Sequence, residues 1–319
     1  MPNSEVQDFI NEFRSPFSTL VVQTSGSTGT PKQICVEKSQ MVASAERTCR
    51  ALNLRAGDVA LLCLPLKYIA GKMMVVRALV ADLQLVEIEP SGHPLADVPA
   101  GTRIDFAAMT PMQIFNTLSV PAEKEKLKSI KKIIIGGAAI DEKMEAELRA
   151  FPNEIYSTYG MTETLSHIAL RRISGNAERG YRVLPRIKIA RGNDDCLVIN
   201  DTLKTNDIVE ILDDGSFLIL GRKDNVVNSG GIKIQLEQVE TQLRAANAGT
   251  DLMLTSVPDE KFGEILVALV CGNAKINCDF LKKFERPKQT IRVPALPLTA
   301  THKPDRMAAK KIAKNFKQK

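Results

Sequence analysis

The sequence predicts an α/β protein with a doubly wound parallel sheet in its larger N-terminal part and a small α+β domain at its C-terminal end. Segments typical of strands and of helices alternate from about residue 18 to residue 160, as in parallel sheets covered by helices on both faces. One segment, DVALLCLP (58–65), is short and wholly apolar after its first residue, as buried parallel strands are. The 319 residues suffice for two domains of about 150 residues each.

The elements of the first part are expected in the following order. Strands at 18–23 and 32–37 flank a loop of hydroxyl and glycine residues, and Ser39 is expected to cap a helix that ends near Leu54. The later predicted elements are strands at 58–65, 83–89, 104–110, 131–137 and 154–160 and helices at 70–82, 111–119 and 141–150.

The pattern changes near residue 181, where strand-like segments follow one another and Asp213, Asp214 and Gly215 form a hairpin turn. This stretch is expected to be a small antiparallel or barrel-like part that closes the first domain. The second domain is predicted to contain a helix at 235–246, strands at 251–257 and 264–271, a short helix at 278–285 and a strand at 290–295. The predicted domains are therefore 1–223 and 224–319.

Charge and composition exclude several classes of protein. The net charge is +6, and residues 303–319 alone carry seven Lys or Arg and one Asp, so the rest of the chain is neutral. With no Trp and only four Tyr, the chain lacks the aromatic residues that accompany basic residues on many nucleic-acid surfaces. Lys67, Lys72 and Arg77 interrupt the most apolar region, which argues against a membrane span.

The N-terminal residues and the cysteines indicate a cytoplasmic protein. The segment MPNSEVQDFINEF is acidic and lacks the basic region and apolar run of a signal peptide. The six cysteines form no CxxC pair, and the three histidines lie far apart, so neither a zinc site nor a disulfide framework is predicted. Reduced thiols are expected.

The segment TSGSTGTPK (24–32) has the composition of a phosphate-binding loop. Its glycines let backbone N–H groups approach an anion, its hydroxyls add donors and its lysine adds charge. It does not fit the spacing GxxxxGK[ST]. A plain polar turn is the alternative. The expected phosphate ligands are Thr24, Ser25, Gly26, Ser27, Thr28, Gly29 and Lys32.

Four further motifs follow this loop: STYGMTET (157–164), KTNDIVEILDDGSFLILGRKD (204–224), NSGGIKIQLEQVE (228–240) and LPLTATHKPDR (296–306). With these motifs in this order, the sequence resembles the acyl-adenylate-forming superfamily of acyl-CoA and aryl-CoA ligases, nonribosomal-peptide adenylation domains and luciferases. Only 23 residues precede the phosphate loop, so the resemblance implies a truncated N-terminal domain.

The resemblance implies ATP, Mg²⁺ and coenzyme A as reactants and cofactors. Tyr159 would stack on adenine, Thr162 would donate to the α-phosphate, and Glu163 would bind Mg²⁺, which favours carboxylate and phosphate oxygens. Asp207 would accept hydrogen bonds from the ribose hydroxyls, with help from Arg222. The other residues expected at the nucleotide are Gly137, Ala138 and Gly160.

The same resemblance makes Lys303 the catalytic lysine of adenylate formation, because a cation there stabilises the charge that gathers at the α-phosphorus. His302 stands where the superfamily usually has glycine. Asp224 would be the hinge about which the C-terminal domain rotates between the two half-reactions. Gly230 and Gly231 would line the tunnel for the pantetheine arm of coenzyme A.

In LPLKYIAGKMMVVRAL (64–79), Tyr68 stands where many members of the superfamily have His or an aromatic residue, and the following helix places Arg77 within reach of the acid pocket. This layout resembles that of the o-succinylbenzoate–CoA ligases of menaquinone synthesis, whose substrate has two carboxylates. Only one carboxylate is activated, so the other needs a counter-charge, for which Arg77 is the candidate. A structural ion pair of Arg77 is the alternative reading. The expected acid-binding residues are Tyr68, Arg77, Gly136, Ser166 and His167.

Two other functions stay open at this point. The chain could load an aryl or acyl group onto a carrier protein or an amine, or it could bind an adenylate without turning it over. Lys303, Glu163 and Asp207 argue against the second of these, because a protein that only binds does not need all three. The expected partners are a small carboxylic acid, ATP and CoA, without nucleic acid or a membrane span. The oligomeric state is not predicted.

Overall fold

The computed structural model describes residues 4–23, 33–299 and 304–317. It divides into two compact units, Met1–Ile187 and Lys188–Lys319. Within the described ranges, no helix has both the length and the apolar composition needed to cross a membrane.

A seven-stranded sheet forms the centre of the first unit, in the order β4-β3-β5-β6-β7-β8-β9. The strands from β4 to β7 run parallel, whereas β8 and β9 join antiparallel. Their bounds are Val59–Leu62 (β3), Gln84–Glu87 (β4), Phe106–Met109 (β5), Lys132–Ile135 (β6), Glu154–Gly160 (β7), His167–Arg172 (β8) and Arg182–Val183 (β9).

Helices cover both faces of this sheet, which confirms the doubly wound prediction. Successive strand residues point to opposite faces, so Ala60 and Leu62 lie in one hydrophobic core and Leu61 and Cys63 in the other. The first core contains α2 (Lys38–Ala51) and α3 (Ile69–Ala81); the second contains α4 (Pro111–Ser119), α5 (Pro121–Ser129) and α6 (Glu142–Arg149).

The chain begins with a helix, α1 (Ser4–Arg14), that was not among the predicted elements. Its apolar residues Val6, Phe9, Ile10 and Phe13 repeat at helical spacing, and they pack into the core shared with α2 and α3. After it, β1 (Thr19–Gln23) pairs antiparallel with β2 (Gln33–Glu37).

The second unit contains two sheets. The first is antiparallel, in the order β10-β11-β12-β13, and the second has the order β15-β14-β17-β16 with β18 beside β17. Their bounds are Ile189–Arg191 (β10), Cys196–Ile199 (β11), Leu203–Ile211 (β12), Phe217–Arg222 (β13), Val226–Ser229 (β14), Ile232–Gln235 (β15), Leu252–Asp259 (β16), Gly263–Cys271 (β17) and Gln289–Val293 (β18).

Two helices pack on the second of these sheets, as an α+β domain requires. Helix α7 (Leu236–Ala246) buries Val239 and Leu243 in one core, and α8 (Arg306–Lys317) buries Ala309 and Ala313 in another. Asp224 lies in the 3₁₀ turn Lys223–Asn225, which follows β13 and precedes β14 in the chain. The domain boundary at 223/224 stays a prediction.

Two predicted details of secondary structure are wrong, and one helix, α5, was not predicted. Helix α2 begins at Lys38 rather than after a Ser39 cap, and its preceding residue makes no side-chain cap. The Lys38 ammonium instead binds the carbonyl oxygens of Glu12 and Ser15 at 2.9 and 3.0 Å, so tertiary contacts fix the start of the helix. Residues 278–285 form turns rather than a helix, and α5, rich in charge with little apolar periodicity, was missed.

Candidate active site

The end of β7 and the turn after it carry the motif STYGMTET. Tyr159 is buried, and the edge of its ring contacts Tyr181, with the ring centres 6.2 Å apart. Gly160 is required by close packing, because a Cβ atom there would lie 2.9 Å from the amide nitrogen of His167. A larger residue would push β8 away from β7.

Residues 162–164 form a single 3₁₀ turn that brings the chain back into β8. The Thr164 hydroxyl accepts a hydrogen bond from the Met161 amide at 2.9 Å and lies 2.7 Å from the Ser166 carbonyl oxygen. Leu165 has a left-handed backbone (φ +67°). The turn leaves Glu163 exposed and Thr162 half-buried.

An exposed carboxylate such as Glu163 suits a divalent cation that keeps water and phosphate oxygens as its other ligands. The part of the chain that the structure describes contains no cluster of three or more candidate metal ligands.

Arg77 is a buried cation on α3, with 2% of its surface exposed. One of its nitrogens, Nη2, donates to the Ser166 hydroxyl, Nη1 lies 3.6 Å from the Met74 sulfur, and Nε has no hydrogen-bond partner. Within residues 4–23, 33–299 and 304–317, no carboxylate forms an ion pair with it. The structural ion pair considered for Arg77 is thus absent from the described residues.

Burial sets the protonation states around Arg77. It lowers the pKa of Arg77 to about 10, so the guanidinium remains charged at neutral pH. It raises the pKa of the nearby Cys49 thiol, which stays neutral and offers no counter-charge. A desolvated cation without an anionic partner costs free energy, and an arriving carboxylate would recover that cost.

His167 lies beside this cation at the start of β8. Its Nε2 atom is 3.1 Å from the Thr48 hydroxyl, and its Nδ1 atom is 3.3 Å from the Ser166 hydroxyl. Burial, and then the charges of Arg77 and Arg47, lower the pKa of His167 well below its usual value of 6.5. The imidazole is therefore neutral at pH 7.

The structure thus brings together three of the residues expected to bind the acid, namely Arg77, Ser166 and His167. Thr48 completes their cluster and was missed by the sequence analysis. The available signal was the pair of hydroxyl residues Ser44 and Thr48, spaced one turn apart on the buried face of α2.

Tyr68 and the residues after β6 complete the expected positions of the first unit. Tyr68 is half-buried and immediately precedes α3. A Cβ atom on Gly136 would collide with the Thr158 hydroxyl, Gly137 has φ +92°, and Ala138 is exposed. Among the described residues, no hydrogen bond joins Tyr68, Gly136, Gly137 or Ala138 to the side chains of Arg77, Ser166 or His167.

In the second unit, Asp207 and Arg222 lie opposite each other on β12 and β13. Arg222 Nη1 donates to Asp207 at 3.1 Å, and Nη2 donates to Asp224 at 2.9 Å. Asn206 also donates to Asp224, at 3.2 Å. This network holds the predicted ribose ligand and the predicted hinge in one hydrogen-bonded group.

Gly230 and Gly231 form the turn between β14 and β15 with positive φ angles of 61° and 81°. The Gly230 amide donates to the Phe262 carbonyl at 2.8 Å, and a Cβ atom there would lie 3.2 Å from the ring of Phe284. Close packing explains the glycine at position 230, and the left-handed backbone explains the glycines at both positions.

Several expected residues lie outside the described residues. They are the phosphate-loop residues Thr24, Ser25, Gly26, Ser27, Thr28, Gly29 and Lys32, together with His302 and Lys303. The roles assigned to the site residues in both units remain predictions.

Comparisons with known proteins agree on one family. The model of the AMP-binding enzyme family matches residues 11–214. A 2-succinylbenzoate–CoA ligase from Staphylococcus epidermidis is 25% identical, over 91% of this chain and 69% of its own length.

Solved structures give the same result. An acyl-CoA synthetase (AMP-forming)/AMP-acid ligase II-like protein from Dyadobacter fermentans is 35% identical with a TM-score of 0.67, covering 96% of this chain and 92% of its own. A variant of Escherichia coli MenE with bound OSB-AMS is 25% identical with a TM-score of 0.70, covering 92% of this chain and 68% of its own.

Proposed function

The chain belongs to the AMP-binding enzyme family, and on that premise we propose that it is an ATP-dependent, AMP-forming acid–CoA ligase that converts o-succinylbenzoate to o-succinylbenzoyl-CoA. The name of the 2-succinylbenzoate–CoA ligase relatives supports this substrate. The observation that carries it is Arg77, a buried cation with an unused N–H donor and no carboxylate partner among the described residues.

The reaction has two half-reactions. In the first, the substrate carboxylate attacks the α-phosphorus of ATP and pyrophosphate leaves, giving an acyl-adenylate. In the second, the thiol of CoA attacks the acyl carbonyl, its proton is lost and AMP leaves, giving the thioester. The activated carboxylate is consumed in this sequence, while the spare one stays ionised and needs a partner throughout.

Roles follow from the chemistry of each residue. Tyr159 offers an apolar ring for adenine, Asp207 accepts from the ribose hydroxyls, and Thr162 donates to the α-phosphate. Glu163 would hold Mg²⁺, which neutralises phosphate charge. Lys303 stabilises the negative charge that develops as pyrophosphate departs.

Arg77 selects the acid. A guanidinium matches the two oxygens of a carboxylate, and burial removes the water that would weaken the pair. An acid without the second carboxylate would leave this cation unpaired in the complex, so the site discriminates by leaving a charge unsatisfied.

We place the reaction in the cytoplasm, where ATP, CoA and reduced thiols occur together. All six cysteines are free in the structure, which suits a reducing compartment.

The test is pyrophosphate release measured over a panel of aryl and acyl acids, with and without CoA, with mass spectrometry of the products. We expect release with o-succinylbenzoate and a CoA thioester only when CoA is present. Preference for a monocarboxylic acid would overturn the substrate, and transfer to a carrier protein or an amine but not to CoA would overturn the ligase assignment.

A further inference from the structure

A chain of four hydrogen bonds, two buried and two part-buried, connects α2 with Arg77. The Thr48 hydroxyl is 3.2 Å from the Ser44 carbonyl oxygen and 3.1 Å from His167 Nε2, and His167 Nδ1 is 3.3 Å from the Ser166 hydroxyl, which Arg77 contacts. Thr48 has none of its surface exposed. The α2 end of this chain of hydrogen bonds is therefore shielded from solvent, whereas Ser166 is half-buried.

The two ends of this chain favour one direction for each hydrogen bond in it. A guanidinium only donates, so the Ser166 oxygen accepts from Arg77 and its own proton goes to His167 Nδ1. At the other end, a carbonyl oxygen only accepts, so the Thr48–Ser44 bond forms only if Thr48 donates it, and the Thr48 oxygen then accepts from His167 Nε2. His167 must then carry its proton on Nε2.

The opposite tautomer makes fewer bonds. With the proton on Nδ1, His167 would donate to Ser166, Thr48 would donate to Nε2, and the Thr48 bond to Ser44 would be lost. The Ser166 proton would also lack a partner within the chain. Buried groups left without hydrogen bonds cost free energy, so the Nε2–H tautomer is favoured.

A charged imidazole is excluded by the same surroundings. The charged groups that act on His167 are Arg77 on α3 and Arg47 on α2, and both are cations. A third positive charge there would be both desolvated and repelled. The neutral ring can therefore act as donor and acceptor at once.

We propose that Thr48 and His167 are positioning residues for substrate binding, holding the Ser166 hydroxyl against one nitrogen of Arg77 so that Nε remains available to the spare carboxylate of the acid. This inference rests on the proposed function. It assigns His167 to an indirect role through Ser166, since both ring nitrogens are already engaged.

The experiment compares Thr48→Val, which removes the hydroxyl while keeping the branched shape, with Thr48→Ser, which keeps the hydroxyl. With o-succinylbenzoate, Thr48→Val should raise KM about tenfold and change kcat less than about threefold. A change of this size corresponds to losing the net free energy of about one hydrogen bond. Thr48→Ser should restore KM to within about threefold of wild type. A benzoate lacking the second carboxylate should respond equally weakly to both variants.

A second measurement, of the His167 tautomer in the wild-type protein, does not depend on whether the Thr48 variants fold. Two-bond ¹⁵N–¹H correlation NMR reports the tautomer of each histidine, and the His167 signals are identified by their loss in His167→Gln. Wild type should show neutral His167 with the proton on Nε2 at pH 7. A charged ring or the Nδ1–H tautomer would overturn the proposal.

The kinetic outcomes separate this inference from the function beneath it. If wild type activates o-succinylbenzoate but Thr48→Val has an unchanged KM, or Thr48→Ser loses as much as Thr48→Val, the positioning role is wrong and the ligase function stands. If wild type does not activate o-succinylbenzoate at all, the proposed function fails first and the inference fails with it.

Discussion

Replacing Arg77 should weaken catalysis and leave the free protein at least as stable as before. Arg77→Met removes the charge and keeps an unbranched apolar side chain that suits the interior around Met73 and Met74. The 2% exposure of Arg77 means that its pair with a substrate carboxylate would be desolvated. Losing such a pair costs roughly 3 kcal/mol, so kcat/KM for o-succinylbenzoate should fall about 100-fold or more.

The thermal stability of Arg77→Met should not fall with its activity. In the ligand-free protein the guanidinium has no carboxylate partner among the described residues, so its removal relieves a desolvation cost. Replacing buried charge by a well-packed apolar side chain is often neutral or stabilising by about 1–4 kcal/mol, so the melting temperature of Arg77→Met should be unchanged or raised. Differential scanning calorimetry measures this without substrate.

Two controls make the result specific. Arg77→Ala should lose as much activity as Arg77→Met, and a benzoate lacking the second carboxylate should be a poor substrate that responds little to either change. The steady-state assay follows pyrophosphate release for both acids. Equal losses for the two acids, or a destabilised protein whose activity falls in proportion, would refute the assignment of Arg77 to the spare carboxylate.

Three further predictions concern the half-reactions, the nucleotide and the pH dependence of stability. Lys303→Ala should abolish adenylate formation yet leave thioester formation from supplied adenylate largely intact, and Gly231→Leu should do the reverse; equal loss of both steps in both variants would contradict domain alternation. Asp207→Ala should weaken ATP binding by roughly 1–3 kcal/mol in calorimetry, because its hydrogen-bond partners lose an acceptor, and an unchanged affinity would remove Asp207 from the ribose. Asp105 is buried, which by itself would raise its pKa, but hydrogen bonds from Lys131, the Val59 amide and Arg103 outweigh burial and lower that pKa below its ordinary value of 3.8. The stability it contributes is therefore complete above its unfolded-state pKa and is lost as the pH falls through its folded-state pKa. Asp105→Asn should cost about 1–3 kcal/mol of unfolding free energy at neutral pH in urea titrations. The gap in unfolding free energy between wild type and variant should become smaller in acid, and a gap that stays constant would contradict the link between the Asp105 pKa and stability.

Local sequence patterns were sufficient for most of the fold. The predicted helix at 111–119 and the predicted strand at 154–160 agree with α4 and β7. In α4 the Thr110 side chain and Gln113 form a capping box, a signal contained in four neighbouring residues. The alternation of strands and helices likewise depends on short-range periodicity, so it predicted the doubly wound sheet, and the ordered motifs led to the family.

Local patterns failed where a segment depends on distant partners. Helix α2 starts where the Lys38 ammonium binds carbonyl oxygens of residues 12 and 15, and α5 has only Glu123 and Leu127 buried within a charged segment. Neither feature leaves a periodic signal in its own sequence. The predicted helix at 278–285 was wrong although Cys278, Leu281 and Phe284 recur at helical spacing and pack in one core. The backbone forms turns there, and the side chain of Arg286 takes the Leu281 carbonyl oxygen as its acceptor.

The sequence by itself determined the family, the order of the motifs and the choice of Arg77 as the cation for the acid. Only the tertiary structure decided what surrounds that cation. Ser166 is 89 residues from Arg77 in the chain, and His167 is 119 residues from Thr48. Packing of α2 and α3 on one face of the sheet, with β8 beside β7 in that sheet, brings these groups within hydrogen-bond distance. Residue type sets which bonds a side chain can make, but donor direction, tautomer and burial depend on neighbours that only folding supplies.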